Sequence, residues 1–511
     1  MAASMSLSKF GMSMGQFFMA GGWLLSGDFQ GKKERFKEYR IVFWVLSGLF
    51  FIHIVGLWNT ENFIYAWNDI RIKVPLLLMP LFFLTMPILT VTKYRNVLKV
   101  VLSAVLFSTF ISLGIYLGFS KRVVHDIRDV SPFISHIRLA LLVCASITIA
   151  IYFILKSKRK LFKVLLFIVL IWFLYFLVLI ESITGLLIIA SALLLFLMMQ
   201  LFSNKVSVVL KCAMIVLLIC GGWMSVQLYN FLFVASIQPI NFEKVTMLDV
   251  TAQGHKYNQY KNRQDLENGN AVWVNVCEYE IDGAWHQRTG TSLYDYNKKG
   301  YQHLYSLVRF LTSKGWNKDA AAVNKLSDDE IKAIEAGMAN VNRMHKGGGV
   351  KQRLDDLAWE FRSYHYNGNA TGQSLTQRLE FWKTAKFIFR KHPLTGVGTG
   401  DINEEFTSAY KELHTKLDDK DRLRSHNQYI SFAVTFGIFG LFYLVFGLLY
   451  PFFTLNMRES YLYSAFLFIA VFSMLSEDTL ETQAGVTFFA FLNCFLLRNA
   501  ALESEEKIKS Y

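Results

Sequence analysis

Five cysteines are all that 511 residues contain, and four of them (Cys144, Cys212, Cys220 and Cys494) fall in strongly apolar stretches. Only Cys277 lies in the polar middle of the chain, so that region has no internal disulfide to rely on, and no Cys/His spacing fits a zinc site. Internal repeats and low-complexity tracts are missing, and no cleavable signal peptide is evident. Prolines number only seven. Apolar residues, by contrast, make up 53% of the chain, 45 phenylalanines among them, and mean hydropathy is positive.

These residues come in long blocks near 6–25, 41–58, 74–92, 100–119, 138–155, 164–180, 183–202, 207–233, 429–450, 461–475 and 483–497. Each approaches the roughly 20 residues that cross about 30 Å of hydrocarbon. A helical bundle satisfies its own backbone hydrogen bonds in lipid. The expected fold class is therefore an all-α polytopic membrane protein with about 11–12 transmembrane helices and one large, mostly helical extracytoplasmic loop domain. Residues 1–233 form an N-terminal bundle of about eight spans, 234–428 the loop domain, and 429–511 the three closing spans and a short cytoplasmic tail.

The net charge of +14 does not point to nucleic acid, because of where it sits. "GKKERFKEYR" (31–40), "TKYRNVLK" (92–99) and "KSKRKLFK" (156–163) occur at alternate crossings, as cytoplasmic loops do under the positive-inside rule. The segment 234–428 is nearly balanced, with roughly 27 basic and 24 acidic residues. That alternation puts 234–428 outside the cytoplasm, the C-terminus inside and the N-terminus outside. Within the external segment, 300–315 and 326–349 have helical spacing, the second opening with Ser327 as N-cap and ending in glycines. The alternation in "AVWVNVCEYEI" (271–281) predicts a strand.

Two stretches could carry chemistry. With the stretch 374–401 placed on a helix at 100° per residue, Phe381, Trp382, Ala385, Ile388 and Phe389 form one stripe, with Glu380, Lys383, Thr384, Arg390 and Lys391 facing away. Arg378 falls within the apolar stripe, where a guanidinium needs an anionic partner. It is either a snorkelling side chain or structural ion pair with an acid elsewhere, or a group aimed at a phosphate or carboxylate. "RLRSHNQYISFAVTFGIFG" (422–440) sets His426 at the seam between a charged segment and a span. Helical geometry puts it on the face of Ala433, Gly437 and Gly440, with Phe432, Phe436 and Phe439 elsewhere. An interfacial histidine is either a packing residue or an ionisable group facing a cavity, here beside Arg424. "GVGTG" (396–400) is an anion nest or, more plainly, a turn after Pro393. His136 and Arg138 open a span, where snorkelling anchorage is the plain reading. The acids of 327–330 and 417–421 read as capping or solvated groups, so no metal is expected.

"HNQYISFAVTFGIFG" (426–440), "RLEFWKTAKFIFRKHPLTGVGTGD" (378–401) and "SEDTLETQAGVTFFAFL" (476–492), in that order, resemble the O-antigen ligase and polymerase (WaaL/Wzy-like) membrane glycosyltransferases, most closely their Bacteroidetes-type versions. The resemblance implies a GT-C-like bundle in the bacterial inner membrane, with the active site facing the periplasm. It implies transfer of a glycan from undecaprenyl pyrophosphate to lipid A–core, without cofactor or metal, the partners being these lipids and not nucleic acid. His426 would then be the base and Arg378 the group that stabilises the leaving pyrophosphate, with Asn427 in the motif beside them. One departure is Ile183, which stands where the family often has a second arginine. Arg138, Arg288 and Arg424 are the possible substitutes, and His136 joins them as a substrate-binding candidate. Polymerase and protein O-oligosaccharyltransferase are the near alternatives. A polysaccharide or lipid transporter is the distant one, disfavoured by the lack of repeated halves and broken-helix pairs.

Overall fold

The computed structural model describes residues 1–120, 127–202, 207–297, 300–344, 349–368, 370–371 and 373–503. Helices dominate. The one sheet among the described residues pairs Leu266–Glu267 with Asn270–Ala271 antiparallel, Leu266 opposite Ala271. The chain divides into two compact units, Met1–Val206 with Arg378–Tyr511, and Ser207–Gln377.

In the first unit each apolar block is helical: Lys9–Leu25, Arg40–Val55, Pro75–Thr85, Val91–Tyr116, His136–Lys156, Lys160–Leu179, Ile183–Leu201, Gln428–Thr454, Tyr461–Ser473 and Gln483–Asn499. The run lengths predicted about 11–12 spans. Among the described residues, five helices are long and apolar enough to cross a membrane unaided, or up to six if a bent pair counts as one span. Several blocks are shortened by their own sequence. Pro75–Thr85, for instance, stops at an extended Met86, because Pro87 disfavours helical backbone in the residue before it. The bent pair joins Phe29–Glu38 to Arg40–Val55 at 86°. A basic segment read as a loop is therefore a helix, capped by Asp28, whose side chain accepts from the Gly31 N–H.

Gln483–Asn499 is buried from Ala484 to its end and packs on Pro75–Thr85, as expected of a helix apolar on all sides. His136–Lys156 is the other central helix, against Lys160–Leu179, Tyr461–Ser473 and Val91–Tyr116. Lys160–Leu179 leaves Val164, Phe167, Ile168 and Ile171 exposed, the composition of a lipid-facing surface.

The second unit holds the apolar helix Val208–Tyr229, which continues as a π-helical turn through Ala235. It also has a separate core around Val272, Trp285, Leu307, Leu311 and Ile334. The predicted strand over 271–281 is not formed. Ala271 to Cys277 are all buried, so no polar side faces water, and a helix begins at Glu278. The two predicted helices are shorter than the pattern suggested, His303–Ser313 and Asp328–Glu335. Ser327 does cap the second, in a capping box with Glu330. Its stop is Gly337 at φ 85°, not the later glycines, of which Gly347 and Gly348 lie outside the described residues.

Candidate functional site

Gln428–Thr454 is a helix with a break. At Gly437 the backbone turns to φ 67°, ψ −165°, a conformation for which glycine pays no steric penalty. Breaking a helix strands carbonyls, and the turn after Pro393 satisfies them. The Val397 N–H donates to Val434 O (3.0 Å), the Gly398 N–H to Thr435 O (2.9 Å), and the Ile438 N–H to Pro393 O (2.9 Å). Thr399 N–H goes to Gly56 O (3.1 Å) and Gly400 N–H to Thr60 Oγ1 (3.1 Å). The N–H groups of "GVGTG" thus splice a broken helix and do not form an anion nest. A Cβ on Gly437 would lie 2.0 Å from Leu394 O, so the small residue admits a loop where the sequence suggested a neighbouring helix.

The strap before this helix is tied from several sides. Asn427 is the N-cap, its side chain accepting from the Tyr429 and Ile430 N–H groups (3.0 and 3.1 Å) and donating to Leu475 O (2.8 Å). Ser425 O accepts from Trp382 Nε1 (2.9 Å), and Leu423 O from the Tyr410 hydroxyl (2.6 Å). Ser431 Oγ lies 2.8 Å from Ser425 Oγ and donates to Asp478 Oδ1 at 2.8 Å. Between these ties His426 takes φ 47°, a conformation costing a non-glycine residue about 1–3 kcal/mol and held by surrounding contacts. It precedes the helix, so the helical face assigned to it with Ala433 and Gly440 does not apply. Phe432 and Phe436 are buried, ring centroids 5.7 and 4.9 Å from that of His53.

The His426 ring is half-buried, 5.7 Å from the Phe381 ring. Among the described residues neither ring nitrogen has a hydrogen-bond partner. Burial lowers its pKa, and Arg378, Arg424 and Arg138 push the same way against Asp478. Arg378 Nη2 meets Glu477 Oε1 at 3.1 Å. Burial pushes the Glu477 carboxyl up to about 7, although Arg378 and Arg138 both favour its charged form. Arg138, at the start of His136–Lys156, donates from Nη1 to Ser135 Oγ (3.1 Å), while its Nε is buried without a partner among the described residues. Arg138 and Glu477 line a cavity whose other walls include Met5, Leu141 and Phe488.

Arg138, Arg378 and His426 are therefore brought to one place. Arg424 is adjacent but engaged, its Nη1 3.2 Å from the Tyr65 hydroxyl and 3.4 Å from Glu481. His136 opens the same helix as Arg138. Arg288 belongs to the second unit, where it pairs with Asp328 (2.8 Å) and donates to Leu326 O (3.0 Å). Glu380 and Thr384, read as facing outward, are buried; the Glu380 carboxylate accepts from Thr415 at 3.3 Å.

Sequence reasoning did not single out the acids. Glu481 receives Lys73 Nζ (2.8 Å) and Gln428 Nε2 (2.9 Å), and Lys73 also reaches Asp69 (3.0 Å), which lies 3.8 Å from His53. Burial raises the Glu481 pKa, but Lys73 and Arg424 more than offset that and hold it well below the carboxylate range. The available signals were three acids in "SEDTLE" between apolar blocks and an i,i+4 Asp69–Lys73 pair. Among the described residues no group of three or more His, Cys, Asp or Glu is disposed to hold a metal.

The fold is that of a polytopic all-helical membrane protein. Residues 326–445, which include Arg378, His426, Asn427 and Gly437, match the family model described as O-antigen ligase, supporting the O-antigen ligase/polymerase family that the motifs implied. No curated protein matches the chain.

Proposed function

We propose that this chain is an O-antigen ligase-type glycosyltransferase, moving a glycan from undecaprenyl pyrophosphate to lipid A–core at the periplasmic face of the inner membrane. The observation that carries the reading is His426: an imidazole free of hydrogen-bond partners among the described residues, within the field of Arg378 and Arg138. In the reaction, the acceptor hydroxyl oxygen attacks the anomeric carbon and its proton passes to a ring nitrogen of His426. The bond from that carbon to the pyrophosphate oxygen breaks, and the electron pair leaves with the phosphate. General base catalysis of this kind is worth about 10²–10⁴ in rate. Arg378 stabilises the charge growing on the leaving group, by about 3–4 kcal/mol if it acts as oxyanion donors do.

Of the candidates for the second arginine, Arg138 is favoured. Its Nε is unpartnered among the described residues, whereas Arg424 and Arg288 are held by carboxylates. In this reading residues 234–428 form the extracytoplasmic loop domain between two sets of spans. The test is transfer in vitro from a defined lipid-linked donor to core acceptor, comparing wild type with His426→Ala and Arg378→Ala. Turnover at the wild-type rate by both variants would sink the site assignment. Against the polymerase reading, a deletion strain should accumulate full-length lipid-linked polymer and not core capped with one unit.

A further inference from the structure

We propose that Glu477 is a resident anion on Arg378, seated where a phosphate-type dianion would bind, so that such an anion enters only when this carboxylate is neutralised. The inference rests on the ligase reading for its biological meaning, but not for its physics. Two carboxylates of one loop have been treated differently. Glu481 is locked by Lys73, Arg424 and Gln428. Glu477 has one contact to Arg378, at 3.1 Å, leaving most of the five donors of a guanidinium unspent. Arg138 adds a second guanidinium with a buried Nε lacking a partner among the described residues.

The groups facing Glu477 are few. Arg378 comes from Ser374–Lys391, Arg138 from His136–Lys156, and Asp478 from the same loop, where it accepts from Ser431. Met5 and the Gln483–Asn499 helix contribute only Ala484, Gly485, Phe488 and a thioether to the adjoining cavity. Two guanidiniums therefore face one carboxylate with one committed neighbour, a charge balance that a dianion meets better than Glu477 does. Burial eases the exchange, because it holds the carboxyl near the point where a proton can replace Arg378 as its partner.

Sulfate is a suitable probe, since it remains a dianion from about pH 6 to about pH 8.5 and its charge adds no slope of its own. Binding is measured by calorimetry on the full chain in detergent. Wild type should lose affinity as pH rises above about 7, approaching tenfold per pH unit, because the competing carboxylate becomes charged. Glu477→Gln should remove that slope and bind sulfate at least about tenfold more tightly than wild type near pH 8.5. A merely structural pair predicts no such gain. His426, with its pKa pushed below the ordinary value, does not gain charge as pH rises above about 7, and His426→Ala should keep the slope. Arg378→Ala should lose the binding. A pH-independent wild-type affinity, or absence of sulfate binding throughout, overturns the proposal without any variant, as does a Glu477→Gln protein no tighter than wild type. Transfer is assayed separately. Sulfate behaviour as expected without glycan transfer sinks the ligase reading alone; transfer with pH-flat sulfate binding sinks this inference alone.

Discussion

His426 occupies a left-handed conformation at φ 47°, and the cost of holding it there is met by ties that touch its neighbours and leave its ring unbonded. Ser425, Asn427 and Gln428 take the hydrogen bonds. A base must be neutral to accept a proton, and burial together with three guanidiniums lowers the His426 pKa from about 6.5. The sign is then fixed: kcat/KM should rise with pH through an apparent pKa below about 6.5 and fall again above about 7, where a charged Glu477 competes for Arg378. His426→Ala should lower kcat by about 10²–10⁴ and abolish that acid limb; an unchanged limb would assign it to another group. Arg378→Lys keeps the charge but replaces a planar fork by a point donor, so kcat should fall by about tenfold or more while the acid limb stays.

At the scale of elements, the site depends on a helix break and the turn that splices it. Gly437→Ala would drive a Cβ to 2.0 Å from Leu394 O at a positive φ, costing well over 1 kcal/mol. It should lower the thermal midpoint in detergent and reduce transfer, whereas an equally stable, equally active variant would show that the splice is dispensable. The apolar blocks, the Ser327 cap and the special character of the "GVGTG" turn were legible because each is a local pattern. The placement of His426 was not. A wheel drawn through 426–440 assumes continuous helix, and neither the start at Gln428 nor the break at Gly437 shows in hydropathy. Burial on both faces of 271–277 also depends on distant partners, which is why alternation there misled. Glu477 lies 99 residues from Arg378, and Glu481 lies 408 from Lys73, pairings that only the packed bundle brings about.

Across the whole molecule, two helices relate the site to the direction of insertion. His136–Lys156 starts beside the site with Arg138 and ends at the basic run 156–163. Its 21 residues span about 30 Å, one hydrocarbon thickness. Gln428–Thr454 likewise starts at the strap and ends near Arg458. If basic loops stay inside, the site opens on the opposite face, which is the side where the proposed reaction would use a lipid-linked donor. A cysteine placed at Ser157 in a cysteine-free background should react with an impermeant maleimide only after the inner membrane is opened. One at Lys261, exposed in the second unit, should react in spheroplasts without that step. Labelling in the reverse order would put His426 in the cytoplasm and remove the periplasmic reaction, whatever the chemistry of the site. In the proposed reaction, transfer that persists in EDTA is the companion expectation, because a pyrophosphate would already be an activated leaving group, with Arg378 and Arg138 to take up its charge. Loss of transfer restored by Mg²⁺ or Mn²⁺ would mean that the arginines do not suffice.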